Sequence, residues 1–224
     1  MIIKDWMTKD VITVDPESSM MRAAKMMKEK GIRRLPVVDD KGKLVGMLSD
    51  RDVKEASPSK ATTLDVHELY YLLSEIKVKN IMTPHPLTIR DTDTVLKCAA
   101  IMHDKKISGL PVLNDKNELV GIMTQNEVYR VLLSITGVYH GGVQFGLKLP
   151  DQRGTLKEVL DCLRGYKARI ISVLTSYDKV EEGFRQVFIR INDMDKSVLN
   201  DLQKELDEKY HLTFWVRDGS ASAN

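Results

Sequence analysis

Short apolar runs and helically spaced apolar positions alternate along the first half of the chain. Residues 11–14 (VITV) form a short extended run, and Met20, Ala24 and Met27 follow at the spacing of one helix face. The runs LPVV and KLVGML then flank the turn-forming residues DDKG. The pattern predicts a unit of the form β-α-β-β-α.

Residues typical of helix ends and tight turns separate these elements. Asp15 and Pro16 fit the N-cap and first position of a helix, so we expect the first helix to begin there. Gly42 fits a left-handed turn position between two strands. A short helix is predicted to begin at Ser49.

The whole pattern returns 75 residues later. Residues 4–53 and 79–128 share 17 identities in 50 aligned positions without a gap, which indicates an internal duplication. The second copy has its own helix face at Val95, Ala99 and Met102. Asn117 replaces Gly42 in the turn. Between the copies, LDVHELYYLLSEI predicts an amphipathic linker helix.

From Gly141 onwards the pattern changes to strands and helices in another order. Strands GVQFGLKL, ARIISVLTSY, GFRQVFIRI and HLTFWVR alternate with two amphipathic helices. The order β-α-β-β-α-β is that of a ferredoxin-like domain. Arg185 and Arg190 are expected on its solvated face, and the final DGSASAN is expected to be frayed.

Composition narrows the function classes. With 34 basic and 32 acidic residues the net charge is only +2, so no nucleic-acid partner is expected. Cys98 and Cys162 fit small core residues, and the scattered histidines and cysteines suggest no metal site. No signal peptide or membrane span is expected, so the predicted location is cytoplasmic. Motifs of nucleophilic or phosphate-loop enzymes are not found, so no catalytic residue and no catalytic cofactor is predicted.

The duplicated region resembles a CBS-domain pair, also called a Bateman module. The motifs that carry the resemblance are the extended segment VITV, the strand GIxxLPVV and the segment GMLSxxD, whose counterparts in the second copy are PLTI, KIxxLPVL and GIMTxxE. The resemblance implies clefts between the repeats that bind adenosine-containing ligands: AMP, ADP, ATP, S-adenosylmethionine or a dinucleotide. The regulatory ligand expected is therefore an adenine nucleotide or S-adenosylmethionine.

In the first cleft, Asp52 is expected to bind the ribose, and Ser49 and the start of its helix to face the phosphate. Arginines would add charged donors, and adenine would lie near the strands. Ser-x-x-Asp at a helix start is also a plain helix cap, and the arginines also fit a solvated surface. The first-site residues are Ile12, Thr13, Arg33, Arg34, Leu35, Pro36, Ser49, Asp50, Arg51 and Asp52.

The second cleft lacks the positive charge of the first. Arg33 and Arg34 become Ser108 and Gly109, and Glu127 replaces Asp52 with one more methylene. A less charged adenosyl group or an empty cleft is expected there. The second-site residues are Leu87, Thr88, Ser108, Gly109, Leu110, Pro111, Thr124, Asn126 and Glu127.

The C-terminal region resembles an ACT domain, a module that often binds amino acids at a dimer interface. Arg169 stands where amino-acid-binding members often have asparagine, so simple dimerisation is the alternative to a bound amino acid. The expected ligand-loop residues are Asp151, Arg153, Gly154, Thr155, Leu156 and Arg169.

The order of the domains resembles the acetoin utilisation protein B family. The predicted fold class is α+β: tandem CBS repeats followed by a ferredoxin-like ACT domain. The predicted bounds are 1–60 for the first CBS motif, 61–135 for the linker helix and second motif, 139–218 for the ACT domain and 219–224 for a disordered tail.

The leading functional hypothesis is a non-catalytic sensor. It would form a homodimer, because twofold pairs are the commonest assemblies, and would act on a regulated protein that the sequence does not name. The alternatives are a structural dimerisation module without a nucleotide and, on weaker grounds, an enzyme.

Overall fold

The structure is a computed structural model that describes residues 1–57 and 74–219. The chain divides into two compact units, Met1–Val131 and Leu132–Asn224. The predicted linker helix, with His67, lies mostly outside the described residues, as does the end of the tail.

The first unit contains the two copies of the repeat. The helices and strands of the first copy are α1 (Met20–Lys30), β1 (Arg34–Val38), β2 (Leu44–Ser49) and α2 (Asp50–Ala56). The second copy begins with a short helix and a short strand, α3 (Val78–Ile81) and β3 (Thr83–Pro84). It continues with β4 (Ile89–Arg90), α4 (Val95–Asp104), β5 (Gly109–Leu113), β6 (Leu119–Thr124) and α5 (Gln125–Thr136).

The first helix begins later than the sequence predicted. Its N-cap is Ser19, whose hydroxyl accepts a hydrogen bond from the backbone N–H of Arg22, so Asp15 and Pro16 do not open it. Asp15 instead accepts a bond from the backbone N–H of Glu17 and forms a turn. Ser19 also forms a bridge with Lys77, and this long-range pairing fixes where the helix starts.

Met20, Met27, Val95 and Met102 are buried as predicted, and only the middle position of each predicted helix face is wrong, by one residue. Ala23 and Cys98 are completely buried at equivalent positions, whereas Ala24 and Ala99 are only partly buried. Cys98 is therefore a small core residue, as predicted, and burial raises the pKa of its thiol to about 11. The left-handed turn positions are confirmed, with φ of 75° at Gly42 and 61° at Asn117.

The two copies exchange their leading segments. Thr83 of β3 pairs with Met47 of the first copy, and Thr8 pairs with Ile122 of the second copy. These two pairings are related by the same offset of 75 residues that relates the copies. The two three-stranded sheets have the orders β1-β2-β3 and β4-β5-β6, so β3 of the second copy completes the sheet of the first.

The exchanged segments explain the glycine that both copies share in the strand before the helix. A Cβ at Gly46 would overlap the sulfur of Met82, and a Cβ at Gly121 would overlap the sulfur of Met7. Each glycine thus leaves room for a methionine carried by the leading segment of the other copy, and close packing requires that room.

The second unit has the predicted order β-α-β-β-α-β. Its elements are β7 (Gly142–Pro150), α6 (Thr155–Gly165), β8 (Ile170–Ser176), β9 (Phe184–Ile191), α7 (Lys196–Lys209) and β10 (His211–Asp218). The antiparallel sheet has the order β10-β7-β9-β8, which is compatible with a ferredoxin-like arrangement. Alternate residues of β7 and β9 form a core with α6 and α7.

The prediction that Arg185 and Arg190 lie on a solvated face is wrong. Arg190 is 2% exposed, and its guanidinium donates to Gly141 O, Gln144 Oε1 and Asp218 Oδ2 at 2.8–3.1 Å. The Arg185 side chain is 17% exposed and pairs with Asp151 at 3.6 Å. Carboxylates and carbonyls supplied by distant segments make this burial possible, because a buried charge requires partners.

A carboxylate network joins the two helices of the second unit. Glu205 of α7 accepts hydrogen bonds from Tyr166 Oη at 2.6 Å, Lys209 Nζ at 2.6 Å and Cys162 Sγ at 3.4 Å. Lys209, then Tyr166 and Cys162, lower the pKa of Glu205 to about 2 through these bonds. Burial and the same carboxylate raise the pKa of Cys162 to about 11, so this thiol is held protonated.

Acid is therefore expected to destabilise the second unit through Glu205. Because its pKa is lowered on folding, Glu205 stabilises the unit above the unfolded value of about 4.3, and this contribution is lost as the pH falls towards about 2. Urea unfolding between pH 5 and pH 3, followed by Trp215 fluorescence in a Trp6→Phe background, measures it. Glu205→Gln should flatten the pH dependence, and an unchanged dependence would contradict the assignment.

Candidate functional site

A cavity of about 590 Å³ lies between the two copies of the repeat. One wall comes from the first copy, at the start of β1 and around the β2–α2 junction. The other wall comes from the second copy, through the segment after β3 and the loop before β5. The lining residues are Arg33, Arg34, Met47, Ser49, Asp50, Arg51, Asp52, Thr83, His85, Pro86, Leu87, Lys106, Ile107, Ser108 and Gly109.

Asp52 is positioned by the cap of α2. Its Oδ2 accepts hydrogen bonds from the Ser49 N–H and hydroxyl, both at 2.7 Å, and its own N–H donates to the Ser49 oxygen at 3.3 Å. Ser49 and Asp52 thus form a capping box, the plain structural role that the sequence left open. Among the described residues, nothing donates to Asp52 Oδ1. The half-buried carboxylate keeps an acceptor for a ligand hydroxyl.

The three arginines of the first copy differ in their surroundings. Arg51 is exposed and its Nε donates to Glu55 at 2.8 Å, so its charge is already paired. Neither Arg33 nor Arg34 forms a side-chain hydrogen bond or ion pair with any residue that the structure describes. Arg34 is half-buried, and that burial lowers its pKa, against the nearby charge of Asp50. Of these three arginines, Arg34 is the one that is half-buried and has no ion-pair partner among the described residues, so an anionic ligand would stabilise its charge most.

Some predicted first-site residues lie elsewhere. Ile12, Thr13, Leu35 and Pro36 are absent from the lining of the cavity, and Leu35 is completely buried in the core. Leu35 points into the core of its own copy, with Val37 and Leu48, because the strand's alternation puts it on the inner face.

Sequence reasoning missed the contribution of the segment that follows β3. Thr83, His85 and Pro86 line the first cavity, and so do Lys106 and Ile107 before β5. Leu87, Ser108 and Gly109, predicted for the second site, line the first cavity as well. The duplication indicated that the two copies associate. The exchange of their leading segments is visible only in the long-range pairing of β3 with β2.

A second cavity of about 400 Å³ lies at the equivalent place in the second copy. Its lining includes the predicted Ser108, Thr124, Asn126 and Glu127, whereas Leu87, Thr88, Gly109, Leu110 and Pro111 lie outside it. The remaining lining residues are Thr8, Gly31, Ile32, Arg33, Arg34, Ile122 and Gln125.

Glu127 has both carboxylate oxygens engaged by the protein. Oε2 accepts from the Thr124 N–H at 2.8 Å and from the Thr124 hydroxyl, as Asp52 does with Ser49. The additional methylene lets Oε1 reach the Thr8 hydroxyl, which donates to it at 3.2 Å. In the second cavity, therefore, Glu127 has no carboxylate oxygen free of protein hydrogen bonds to accept from a ribose hydroxyl.

The six residues predicted as a ligand loop in the second unit do not meet in one cavity. Arg169 lines a cavity of about 370 Å³ with His140, Ile170, Ile171 and Asn192. Asp151, Arg153, Gly154, Thr155 and Leu156 lie outside that lining, in the turn before α6 and in its first two residues. Gly154 is the N-cap of α6 with φ of 98°, so it opens the helix as predicted.

Within residues 1–57 and 74–219, no group of three or more histidine, cysteine, aspartate or glutamate side chains is arranged to hold a metal ion. Across this described part of the chain, every helix is too short or too polar to span a membrane.

Comparison with known proteins agrees with the duplicated architecture. The chain is 32% identical over 134 residues to a CBS domain-containing protein of Dictyostelium discoideum, covering 60% of this chain and 92% of that protein. A homoserine O-acetyltransferase of Methanosalsum zhilinae is also 32% identical over 130 residues, but the match spans only 24% of that enzyme.

Solved structures match the same region. CBSX2 in complex with AMP has 34% identity and a TM-score of 0.50, covering 60% of this chain and 97% of that one. The AcuB protein from Vibrio cholerae has 25% identity and a TM-score of 0.52, covering 62% of this chain and 94% of that one.

A family model described as the CBS domain matches residues 3–59 and 78–134, one match for each copy of the repeat. The two matches include Asp52 and Glu127, the carboxylates at the helix starts. Together with the duplication and the paired sheets, they show that the chain belongs to the CBS-domain family and carries a CBS-domain pair.

Proposed function

We propose that the chain is a non-catalytic sensor that binds an adenine nucleotide in the first cavity. The observation that carries the proposal is the juxtaposition of an unpaired acceptor, Asp52 Oδ1, with the unpaired guanidinium of Arg34 in one cavity. A ribose hydroxyl would donate to the carboxylate and a phosphate would bind the arginine. The AMP complex of CBSX2, a relative of 34% identity, supports the ligand class.

The preference for a phosphate tests the proposal. We expect the wild-type chain to bind AMP at least about tenfold more tightly than adenosine, because Arg34 forms no ion pair or side-chain hydrogen bond with the described residues. Calorimetric titration of both ligands measures the difference, and a higher salt concentration should reduce it by screening. Arg34→Gln should weaken AMP and leave adenosine nearly unchanged, with Arg51→Gln as the matched control. Equal affinity for adenosine and AMP would overturn the proposal.

The second unit supports a second, separate proposal. We infer that residues 139–218 form an ACT domain, because their element order and sheet order are compatible with a ferredoxin-like fold. Residues 151–156 do not line the cavity of Arg169, so an amino acid in that cavity would be bound by other residues. The cavity of Arg169 and His140 offers two basic side chains, which suit a carboxylate. Dimerisation without a ligand stays the alternative for this unit.

The remaining proposals come from the sequence. The homodimer, the cytoplasmic location, the regulated protein partner and S-adenosylmethionine as an alternative ligand remain predictions. So do the domain bounds at residues 60, 135 and 218. The structural likeness to AcuB supports a proposed link to acetoin utilisation and does not define one. An enzymatic role is the weaker alternative, because several enzymes that match the chain share only a quarter or less of their length with it.

A further inference from the structure

Arg33 and Arg34 line both cavities of the CBS pair. The offset of 75 residues places Ser108 and Gly109 at the equivalent positions of the second copy. The second copy therefore contributes no arginine to match them. Two cavities related by the repeat share one pair of cations that comes from the first copy alone.

Packing explains why one copy has the arginines. A Cβ at Gly109 would lie 2.9 Å from Cδ of Arg34, so the stem of Arg34 crosses directly over this glycine. The two equivalent positions meet, and one large side chain fills the space that both would need. Arg34 thus sits between the cavities, half-buried and without a fixed hydrogen-bond partner among the described residues.

The other charges differ between the cavities. The first cavity is also lined by Lys106, Arg51, Asp50 and Asp52, and the charge of Arg51 is paired with Glu55 outside the lining. Apart from the two arginines, the charged residue in the lining of the second cavity is Glu127. If the arginines bind an anion in the first cavity, the second keeps a negative charge and has no cation to offset it.

We propose that Arg33 and Arg34 form one anion-binding element shared by the two cavities, so that binding of a phosphorylated nucleoside in one opposes binding of another in the second. A phosphate monoester carries a charge of about −1.5 to −2 at pH 7, so one bound phosphate offsets the charges of Arg33 and Arg34 together and leaves little positive charge for a second. The second phosphate would also meet the charge of the first. The CBS pair therefore holds one phosphorylated ligand at a time. This inference rests on the proposed nucleotide binding.

Stoichiometry tests the proposal. Calorimetric titration of the full chain with AMP should give one AMP per chain, and any second AMP should bind at least about tenfold more weakly. Ser108→Arg places an additional cation on the shared wall, because Ser108 also lines both cavities. This variant should bind a second AMP at least about tenfold more tightly than the wild type does. Ser108→Lys provides the same charge in a slimmer side chain, and thermal unfolding confirms that each variant is folded.

The matched control is Lys106→Gln, which removes a cation that lines the first cavity but not the second. It should change the affinity for the first AMP and leave the stoichiometry at one. Two AMP molecules bound to the wild type with equal affinity would overturn the sharing and leave the proposed function intact. A stoichiometry of one in folded Ser108→Arg and Ser108→Lys would also overturn it. No binding of AMP to the wild type would overturn the proposed function and, with it, this inference.

Discussion

Replacement of Asp52 by asparagine is expected to weaken AMP binding by about 1.5–3 kcal/mol, roughly a 10- to 150-fold rise in Kd. A hydrogen bond to a charged group has this magnitude, and Asp52 Oδ1 is the acceptor that no described residue uses. Asparagine keeps the size of the side chain and an oxygen that accepts from Ser49, so the cap of α2 is preserved. Alanine would also remove the cap, which by itself costs about 1 kcal/mol of stability.

The matched control for Asp52 is its neighbour Asp50. Asp50 lines the same cavity, but its Oδ2 accepts from Lys54 Nζ at 2.9 Å. Its negative charge also lies close enough to Arg34 to affect that guanidinium. Asp50→Asn should therefore leave AMP binding unchanged or strengthen it. Calorimetry of both variants separates a ribose contact from a general loss of charge, and equal binding by Asp52→Asn and the wild type would show that Asp52 only caps the helix.

Truncation of Leu202 to alanine is expected to destabilise the second unit by about 2–5 kcal/mol. Leu202 of α7 is completely buried against the sheet, in the core that includes Leu147, Leu163 and Ile189. The cavity left behind cannot close without moving both helices.

Urea unfolding measures that loss through Trp215, which stacks on Phe145 with ring centroids 5.2 Å apart. A Trp6→Phe background makes Trp215 the single tryptophan of the chain. Leu132→Ala is the matched control, because Leu132 belongs to the same unit but is 50% exposed, and it should change stability little. A loss below about 1 kcal/mol for Leu202→Ala would show that α7 does not depend on this contact.

Local patterns predicted most of the elements correctly. The period of the apolar residues predicted β-α-β-β-α-β for the second unit and β-α-β-β-α for the second copy correctly. In the first copy the predicted strand at residues 11–14 is reduced to an isolated bridge between Val14 and Val37. The left-handed positions Gly42 and Asn117 followed from turn chemistry. Errors occurred where a distant segment determined the outcome. The bridge between Ser19 and Lys77 accompanies the late start of α1, and Asp218 and Gly141 make the burial of Arg190 possible.

The site shows the same division. The chemistry at the helix starts was visible in the sequence, since Asp52, Glu127 and the paired arginines are adjacent to the repeated motif. The opposite wall of the first cavity was not visible. Thr83 and His85 line it because the copies exchange their leading segments, which no local pattern encodes.

The sequence by itself determined that two copies of one unit precede a second kind of domain, because periodicity and identity are local properties of the chain. It also determined that the arginines at positions 33, 34 and 51 have no counterpart in the second copy, where Ser108, Gly109 and Asn126 stand. The tertiary structure decided that Arg34 crosses Gly109 and faces two cavities, and that Thr8 reaches Glu127 while Asp52 keeps an unpaired oxygen. These outcomes depend on distances between residues 75 or more positions apart, and only the packing of one copy against the other sets those distances.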